Sequence, residues 1–317
     1  MSEEKQVRIP IAREIEELGD VIKGLESFDI DEIKKLVDES EAVKFKRFNP
    51  ICLDRNKHLI LRIDGHKFST FTQGFDKPFD LDIMEAMLRT TEDLLKYFKG
   101  VTAYTQSDEI TILVTKPNDM SVYDFNGRRS KLESLAAGYA SARFNNHLLT
   151  LYVNKMSEDI SDPYVSFNPF GPQPAYSLKH KKITGGFAHF DCRAIQPTSD
   201  QTIVDCFRWR QLDAFRNGNS ILARNIVSEK KLEKLGTGER IKLLEDAKYP
   251  LSKQPTHILH GTWIKKKIID QKLTHPKTGE EIVCKRATMV RNPNLNFPIT
   301  YATIPTPNLT WLMSEFT

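Results

Sequence analysis

Two short apolar segments, residues 101–105 and 110–114, enclose the polar residues Gln106 to Glu109, and this arrangement restricts the possible fold more than any other feature. Two such segments joined by a few polar residues are typical of an antiparallel β-hairpin. A third apolar segment, residues 59–63, runs directly into the dipeptide Asp64-Gly65. We therefore expect three β-strands, with acidic residues at the end of the first strand and at the tip of the hairpin.

Helical segments separate these strands in a regular order. Residues 77–98 carry apolar side chains at helical spacing, and Asp80 can cap this helix because its carboxylate accepts bonds from unpaired N–H groups. Residues 128–150 predict a second helix, and residues 186–195 predict a fourth strand. The order strand, helix, strand, strand, helix, strand is that of a ferredoxin-like α+β fold, in which two helices cover one face of an antiparallel sheet.

The remaining segments are additions to this unit. Residues 1–44 predict an N-terminal helical extension, because apolar residues recur at spacings of three and four. Residues 157–183 are rich in proline and aromatic residues and predict a long loop, a kind of segment that is often functional. Residues 200–246 predict helix with a glycine-containing break, and residues 268–317 predict an extended C-terminal tail.

Composition narrows the class of protein. Hydrophobic residues make up 39% and charged residues 28% of the 317-residue chain, as in ordinary soluble globular proteins. The net charge of +4 suits a polyanionic partner without requiring one. The four cysteines form no CxxC pair, which argues against a zinc site and favours a reducing compartment. No apolar run approaches the roughly 18 residues that span a membrane, and the N-terminus resembles no secretory signal, so we expect a cytoplasmic protein.

Asp64 and Asp108 are the candidate metal ligands. Asp64 follows the first strand, Asp108 lies in the turn between the second and third, and these strands are neighbours in the expected sheet. The two carboxylates should therefore meet at one edge, where such a pair can hold two Mg²⁺ ions roughly 3.5–4 Å apart. The carbonyl of Gly65 can serve as a further ligand, because no side chain blocks its approach.

Small and cationic residues near these acids are candidate ligands for a triphosphate. The segment from Gly65 to Thr70 offers consecutive backbone N–H groups, which can cradle anionic oxygens. Lys77 adds a cation, and Arg128 and Lys131 lie three residues apart on a predicted helix, so both can face one anion. Each feature alone has an ordinary interpretation as a turn or a solvated helix start. The residues by themselves support only an α+β domain with an acidic edge near basic residues.

Five short motifs in a fixed order resemble the tRNA-His guanylyltransferase family, which includes the guanylyltransferase-like proteins, and a sixth segment resembles its closing strand. Any one of them is a weak signal, whereas the ordered set is specific. Together they cover roughly residues 45–267. The segments are RIDGHKF (62–68), KPFD (77–80), YTQSDE (104–109), SKLESLAAGYAS (130–141), RWRQLDAFRN (208–217) and GTWIKK (261–266).

The resemblance implies a catalytic domain over residues 45–267, with the fold of a polymerase palm that works in reverse and adds nucleotides to the 5′ end of tRNA. ATP or GTP first activates the 5′-monophosphate of the tRNA. The 3′-hydroxyl of an incoming GTP then attacks the activated phosphate. The resemblance also implies a homotetramer with tRNA as its partner.

The resemblance further implies roles for individual residues. Asp64, Asp108 and the Gly65 carbonyl would bind two Mg²⁺ ions, and Glu109 would be a catalytic residue that supports them rather than a direct ligand. Arg210 and Asn217 match residues that bear on tRNA recognition or structural support. The nucleotide-binding residues would be Asp64, Gly65, His66, Lys67, Phe68, Ser69, Lys77, Ser107 and Asp108, with Arg128, Ser130 and Lys131 holding a second triphosphate.

One position departs from the family pattern. Phe215 stands where enzymes specific for tRNA-His carry a histidine. This departure favours the guanylyltransferase-like branch, which repairs truncated tRNA 5′ ends using the opposite strand as template. On the same predicted helix, Trp209 is expected in the core rather than as an RNA-stacking platform. Arg210 is expected to pair with an acid such as Asp205 or Asp213.

Two other functions are compatible with an acidic edge on this fold. A palm-type nucleotidyl cyclase would convert a nucleoside triphosphate without RNA, although the chain lacks a GGDEF-like hairpin. A non-catalytic RNA-binding module would need exposed aromatic side chains on its central strands, where the chain carries mainly Ile and Leu apart from Tyr104.

Overall fold

The computed structural model describes residues 51–118, 120–160, 177–274, 277, 279, 281–292 and 307–315. The chain divides into two units, Met1–Pro50 and Ile51–Thr317. The first unit, which contains the predicted N-terminal helices, lies outside the described residues. Among the described helices, none combines the length and the apolar character needed to cross a bilayer.

An antiparallel sheet forms the centre of the described unit. Its strands are β1 Leu59–Gly65, β2 Thr102–Gln106, β3 Glu109–Val114, β4 Phe190–Ile195, β5 Thr262–Thr274 and β6 Glu281–Arg291. The strands lie in the order β4-β1-β3-β2-β5-β6, and every neighbouring pair is antiparallel. The order β4-β1-β3-β2 is that of the split ferredoxin-like pattern, so the predicted α+β fold is confirmed. The β5–β6 hairpin extends this sheet at the β2 side.

Helices lie in the connections between the strands and after β6. They are α1 Phe68–Phe71, α2 Leu81–Tyr97, α3 Arg129–Ile160, α4 Leu178–Thr184, α5 Asp200–Ala223, α6 Glu229–Leu232, α7 Thr237–Asp246, α8 Thr256–His260 and α9 Leu309–Met313. The predicted cap of α2 is confirmed, because the Asp80 carboxylate accepts hydrogen bonds from the N–H groups of Asp82 and Ile83. The helical segment 200–246 is divided among α5, α6 and α7, with Gly236 preceding α7.

Alternate residues of each strand point to opposite faces of the sheet, and both faces are covered. On one face, Leu61 and Ile63 of β1 belong to a core that includes Phe144 of α3. On the other face, Tyr104 of β2 belongs to a second core with Phe207 of α5. The helix α5 therefore adds a third layer to the two that the sequence predicts.

The C-terminal segment belongs to the sheet and the core in its described residues. The sequence predicts an extended tail over residues 268–317, but β5 continues to Thr274 and pairs with β6. A domain boundary at residue 267 would cut through β5. Trp311 and Leu312 of α9 are buried beside Trp263 of β5. The structure differs from the expectation because these apolar side chains are buried on a part of the sheet that the other helices leave uncovered, and burial of apolar surface is favourable.

The segment 157–183 also differs from the predicted long loop. Its first residues continue α3, which ends at Ile160, and its last residues form most of α4. Residues 161–176 between these helices lie outside the described residues.

Candidate active site

The end of β1 and the hairpin turn place Asp64 and Asp108 side by side. Asp64 lies opposite Glu109 in the register of β1 and β3. The N–H of Gly65 donates to the carbonyl of Asp108 at 3.1 Å. The turn depends on Ser107, whose φ of 49° lies in the left-handed region and reverses the chain between β2 and β3. The structure therefore brings together the two carboxylates that the sequence predicts at one edge of the sheet.

Gly65 allows the main chain to approach the Asp108 carboxylate closely. A Cβ atom at this position would lie 2.8 Å from Oδ2 of Asp108 and 2.7 Å from the ring of Phe68. Real Cβ atoms do not make such contacts, so glycine is required for β1 and the hairpin to meet in this way. As a result, the backbone of Gly65 lies next to the carboxylate with which it is expected to share a metal ion.

The surroundings of the two carboxylates disfavour their ionised forms. Burial raises the pKa of Asp108 to about 6, and the charges of Asp64 and Glu109 add to this effect. Burial also raises the pKa of Asp64, and Glu109 and Asp191 act in the same direction. Arg62 contacts the Asp64 carboxylate at 3.0 Å and opposes the shift without cancelling it. A divalent cation at this edge would supply the positive charge that the pair lacks.

The donor set at this edge fits Mg²⁺ better than Zn²⁺. Asp64, Asp108 and the Gly65 carbonyl offer only oxygen atoms, which are hard ligands. In the part of the chain that the structure describes, no group of three or more His, Cys, Asp or Glu side chains is arranged to hold a metal ion. The protein would therefore supply few ligands and leave positions to water and phosphate oxygens, as is usual for Mg²⁺.

Glu109 is held by two arginines beside the carboxylate pair. It accepts hydrogen bonds from Nη1 of Arg210 at 2.7 and 2.9 Å and from Nη2 of Arg62 at 2.7 Å. Arg62 also donates to Asp64 at 3.0 Å, so the same network orients a candidate ligand. Arg210 is only 2% exposed. Its main partner is Glu109 and not an acid of its own helix, because Asp213 lies farther away at 3.8 Å.

The segment that follows Asp64 offers fewer backbone donors than the sequence suggests. The N–H groups of Gly65 and His66 already bond to the carbonyls of Asp108 and His189, at 3.1 and 2.8 Å. Lys67, the next residue, has a φ of 49° and precedes α1. A residue in this conformation can direct successive N–H groups toward one anion. The proposed backbone cradle is therefore confined to the segment that starts at Lys67.

A cavity of about 720 Å³ opens beside Asp108. Many of the predicted nucleotide-binding and support residues line it: Phe68, Ser69, Lys77, Ser107, Asp108 and Asn217. Its apolar wall includes Phe75, Phe79, Ile83, Met84, Met87 and Leu88. A concave site with an apolar wall and polar groups at one end suits a planar heterocycle whose charged part faces the carboxylates.

The predicted second phosphate-binding group lies away from this edge. It consists of Arg128, Ser130 and Lys131, at the start of α3. Near them, the carboxylate of Glu133 accepts a hydrogen bond from the N–H of Ala194 at 2.9 Å. Ala194 lies about 13 Å along β4 from Phe190, the residue that pairs with Gly65 at the carboxylate edge. None of the group lines the cavity, so a single chain does not place it beside the first phosphate-binding segment.

Sequence reasoning misses a further acidic residue at this edge. Asp191 lies directly opposite Asp64 in the register of β1 and β4, and Arg193 lies opposite Arg62. Residues directly opposite share a face and lie close together, so two like charges repel there. The alternating polar residues of the segment 186–195 give a signal, but the sequence does not set the register of this strand against β1.

The placement of Trp209 also differs from the sequence expectation. The residue is predicted in the core, but 55% of its surface is exposed. Phe207 packs on the sheet and Arg210 turns toward Glu109, so position 209 falls on the outer side of α5. The indole stacks with its neighbour instead, because the guanidinium carbon of Arg210 lies 3.5 Å from the ring centroid.

Comparison with known proteins agrees with the sequence motifs. The pattern of the tRNAHis guanylyltransferase family matches residues 40–198. An uncharacterised protein of Acanthamoeba polyphaga mimivirus is 32% identical over 252 residues, which are 75% of this chain and 81% of that protein. A probable tRNA(His) guanylyltransferase of Dictyostelium discoideum is 26% identical over 53% of this chain, which spans about half of that relative (55%). The solved structure of a bacterial tRNA(His) guanylyltransferase-like protein in complex with ATP aligns with a TM-score of 0.56 and 28% identity, over 72% of this chain and 87% of that one.

Proposed function

Because the chain belongs to the tRNAHis guanylyltransferase family, we propose that it is a nucleotidyltransferase that extends the 5′ end of tRNA in the 3′-to-5′ direction. It would add GTP, or nucleotides chosen by the opposite strand, after activation of the 5′-phosphate with ATP or GTP. The observation that carries the proposal is the convergence of Asp64, Gly65 and Asp108 beside a cavity large enough for a nucleotide.

The chain's own groups account for binding and orientation. The apolar wall of the cavity takes the nucleobase, while Lys77 and the backbone that starts at Lys67 orient the phosphates. Asp64, Asp108 and the Gly65 carbonyl would hold two Mg²⁺ ions. Bound there, these ions neutralise charge on the reacting phosphates and make the attacking hydroxyl more acidic.

The proposed reaction consists of two phosphoryl-transfer steps. In the first, a 5′-phosphate oxygen of the tRNA attacks the α-phosphate of ATP or GTP, and pyrophosphate leaves. In the second, the 3′-hydroxyl of GTP attacks the activated 5′-phosphate, and the nucleoside monophosphate leaves. Both steps demand positioning and charge neutralisation more than covalent participation of the protein. A site made of two carboxylates and a few cations meets that demand.

The surroundings of Phe215 favour repair of tRNA 5′ ends over strict recognition of tRNA-His. Phe215 stacks on His260, with ring centroids 5.7 Å apart and an interplanar angle of 25°. It also packs against an apolar cluster that includes Leu222 of α5. A phenyl ring offers no hydrogen-bonding group to a tRNA, unlike the histidine of the family pattern. We therefore propose that truncated tRNAs are the preferred acceptors.

The alternative of a purely RNA-binding module gains no support from the central strands. Tyr104 of β2 is 1% exposed, and its hydroxyl donates to the carbonyl of His260 at 2.9 Å. Bases can stack only on rings that reach the surface. The aromatic residue singled out on these strands therefore belongs to the core and offers no RNA-binding surface.

A transfer assay tests the proposal. A 5′-monophosphorylated tRNA that lacks its first nucleotide is incubated with α-labelled GTP, ATP and Mg²⁺, in parallel with intact tRNA-His. We expect label in the truncated tRNA, loss of this label in Asp64→Asn and Asp108→Asn, and normal labelling in Asp124→Asn, which only removes a surface ion pair. Full activity of both site variants would contradict the metal assignment. Preference for intact tRNA-His would contradict the assignment to repair.

The assembly and the location belong to the same proposal. From the family resemblance we propose a homotetramer, and from the four scattered cysteines without a CxxC pair we propose a cytoplasmic location. Light scattering of the purified protein measures the assembly, and a monomer under assay conditions would contradict the first point. Fractionation of cells tests the second, and recovery outside the cytoplasmic fraction would contradict it.

A further inference from the structure

The packing of α5 against the sheet does not require a tryptophan at position 209. The chain has three tryptophans. Trp263 and Trp311 are 0% and 7% exposed and lie in the core, whereas Trp209 is 55% exposed. A single exposed apolar side chain is common on protein surfaces, so the contacts and the location of the indole must decide whether it has a role.

The indole ring is held in a fixed orientation. The guanidinium of Arg210 lies against one face, 3.5 Å from the ring centroid. This guanidinium is bonded to Glu109 at 2.7 Å and is buried, so it cannot move away from the ring. A ring fixed from behind loses little side-chain entropy when a second planar group stacks on its open side.

The stacked pair is connected to the candidate active site. Glu109 lies opposite Asp64 in the register of β1 and β3 and directly follows Asp108. Trp209 therefore reaches the carboxylate edge through only two side chains, those of Arg210 and Glu109. It does not line the nucleotide cavity. Its place on the outer side of α5 leaves it accessible to a large molecule.

We propose that Trp209 is a stacking platform for a nucleobase near the 5′ end of the RNA acceptor. The inference rests on the proposed function, because the acceptor must bring its 5′-phosphate to Asp64 and Asp108. Unpaired bases at RNA ends are held mainly by stacking on aromatic rings and guanidinium planes. Because every base has a face to stack, the platform holds the end without reading its sequence.

Fluorescence isolates this residue, because the other two tryptophans are buried. A 5′-monophosphorylated tRNA without its first nucleotide is titrated into the protein with no triphosphate present, and filter binding defines saturation. We expect tryptophan emission to fall and its quenching by acrylamide to weaken as the RNA binds. Both changes should disappear in Trp209→Phe. Unchanged emission and quenching at saturating RNA would overturn the inference.

Transfer kinetics separate stacking from a purely structural role. We expect Trp209→Ala to raise the KM for the tRNA roughly 5- to 150-fold, as loss of one stacked base implies. The KM for GTP should not change, and Trp209→Phe should behave nearly as wild type. The matched control is Tyr97→Ala. Tyr97 is also exposed (44%) and stacks on Tyr139 of α3, but it lies beside the core on the opposite face of the sheet. Equal losses in the Ala and Phe variants, or an equal rise of both KM values, would overturn the inference.

Failure of the platform and failure of the proposed function give different results. If the wild-type protein transfers GTP to no tRNA, the proposed function is refuted. If it transfers normally and Trp209→Ala has the wild-type KM for tRNA, only the platform is refuted. Should Trp209→Ala fail to fold, Trp209→Leu against Trp209→Phe gives the same comparison, because leucine keeps apolar volume but offers no ring on which a base can stack. A rise in KM that accompanies a changed oligomeric state means that Trp209 contacts a second copy of the chain, and this outcome also overturns the inference.

Discussion

Replacement of Glu109 by alanine should destabilise the fold by several kcal/mol. Glu109 accepts hydrogen bonds from Arg62 and from the buried Arg210, so alanine leaves two guanidinium groups without their main counter-charge. Removal of one partner from a buried ion pair costs about 3–5 kcal/mol, because the remaining charge stays desolvated. The lower end of this range applies here, since Asp64 still contacts Arg62 and Asp213 lies 3.8 Å from Arg210. Because domains are stable by only about 5–15 kcal/mol, the variant should fold but unfold at much lower urea concentration.

Equilibrium unfolding in urea, followed by circular dichroism at pH 7.5 in EDTA, measures this loss without metal. The matched control is Asp124→Ala, which removes an ion pair of similar length, Lys99–Asp124 at 2.9 Å, that is exposed to solvent. We expect the control to lose less than about 1 kcal/mol. If Glu109→Ala also loses less than about 1 kcal/mol and yet abolishes transfer, the reasoning is refuted, because Glu109 would then act on metal or substrate rather than as a support.

Three further predictions concern the turn, a helix crossing and the C-terminal segment. Asp108→Asn should abolish transfer yet stabilise the metal-free protein by about 1–2 kcal/mol at pH 7.5, because burial raises the pKa of this carboxyl to about 6 and the folded state disfavours its charge. This gain in stability should fade as the pH falls from about 6 toward about 4, because the Asp108 carboxyl of wild type is then protonated and uncharged. A variant that is less stable than wild type in urea at pH 7.5 would contradict the prediction. Gly218→Ala should lose about 1–3 kcal/mol, because its Cβ meets the carbonyl oxygen of Ile258. By contrast, Gly138→Ala should raise the free energy of unfolding by about 0.5–1 kcal/mol, because nothing lies within 4 Å of the new Cβ. Equal effects of the two substitutions in the same urea assay would contradict the close approach of α5 to α8 at Gly218. Leu312→Ala should lower the free energy of unfolding by about 2–5 kcal/mol, since the side chain is fully buried, and a loss below about 1 kcal/mol would show that the core does not need α9.

Local patterns in the sequence are sufficient to predict the central elements. The hairpin that carries Asp108 and the cap at Asp80 each depend on residues close together in the chain, so spacing and turn chemistry predict them. To predict that Asp64 meets Asp108, one must also know that β1 and β3 are neighbours in the sheet. The order of strands and helices along the chain implies this. By contrast, Asp191 faces Asp64 only through a register between strands far apart in sequence, which no local pattern sets.

The placement of side chains on α5 and on the C-terminal helix α9 shows a different limit of prediction from local sequence patterns. A tryptophan in a helix is usually predicted as core, but here the inward position belongs to Arg210, because its charge is matched by Glu109 on another element. Whether an arginine or its aromatic neighbour points inward depends on the location of that distant carboxylate. Likewise, the burial of Leu312 depends on a face of the sheet that the other helices leave uncovered. Both placements are tertiary facts that override local preference.

The bond between β2 and α9 has a consequence for biosynthesis. Thr102 donates to the carbonyl of Leu312, 210 positions later in the chain, at 2.6 Å. Trp263 packs edge-on against Trp311, with ring centroids 5.3 Å apart. While a ribosome makes this protein, the hairpin with Asp108 is therefore complete long before the helix that seals one side of it. During that interval the side of Trp263 that Trp311 later covers is exposed, and transiently exposed apolar surface of this kind makes a nascent chain prone to misfolding and aggregation.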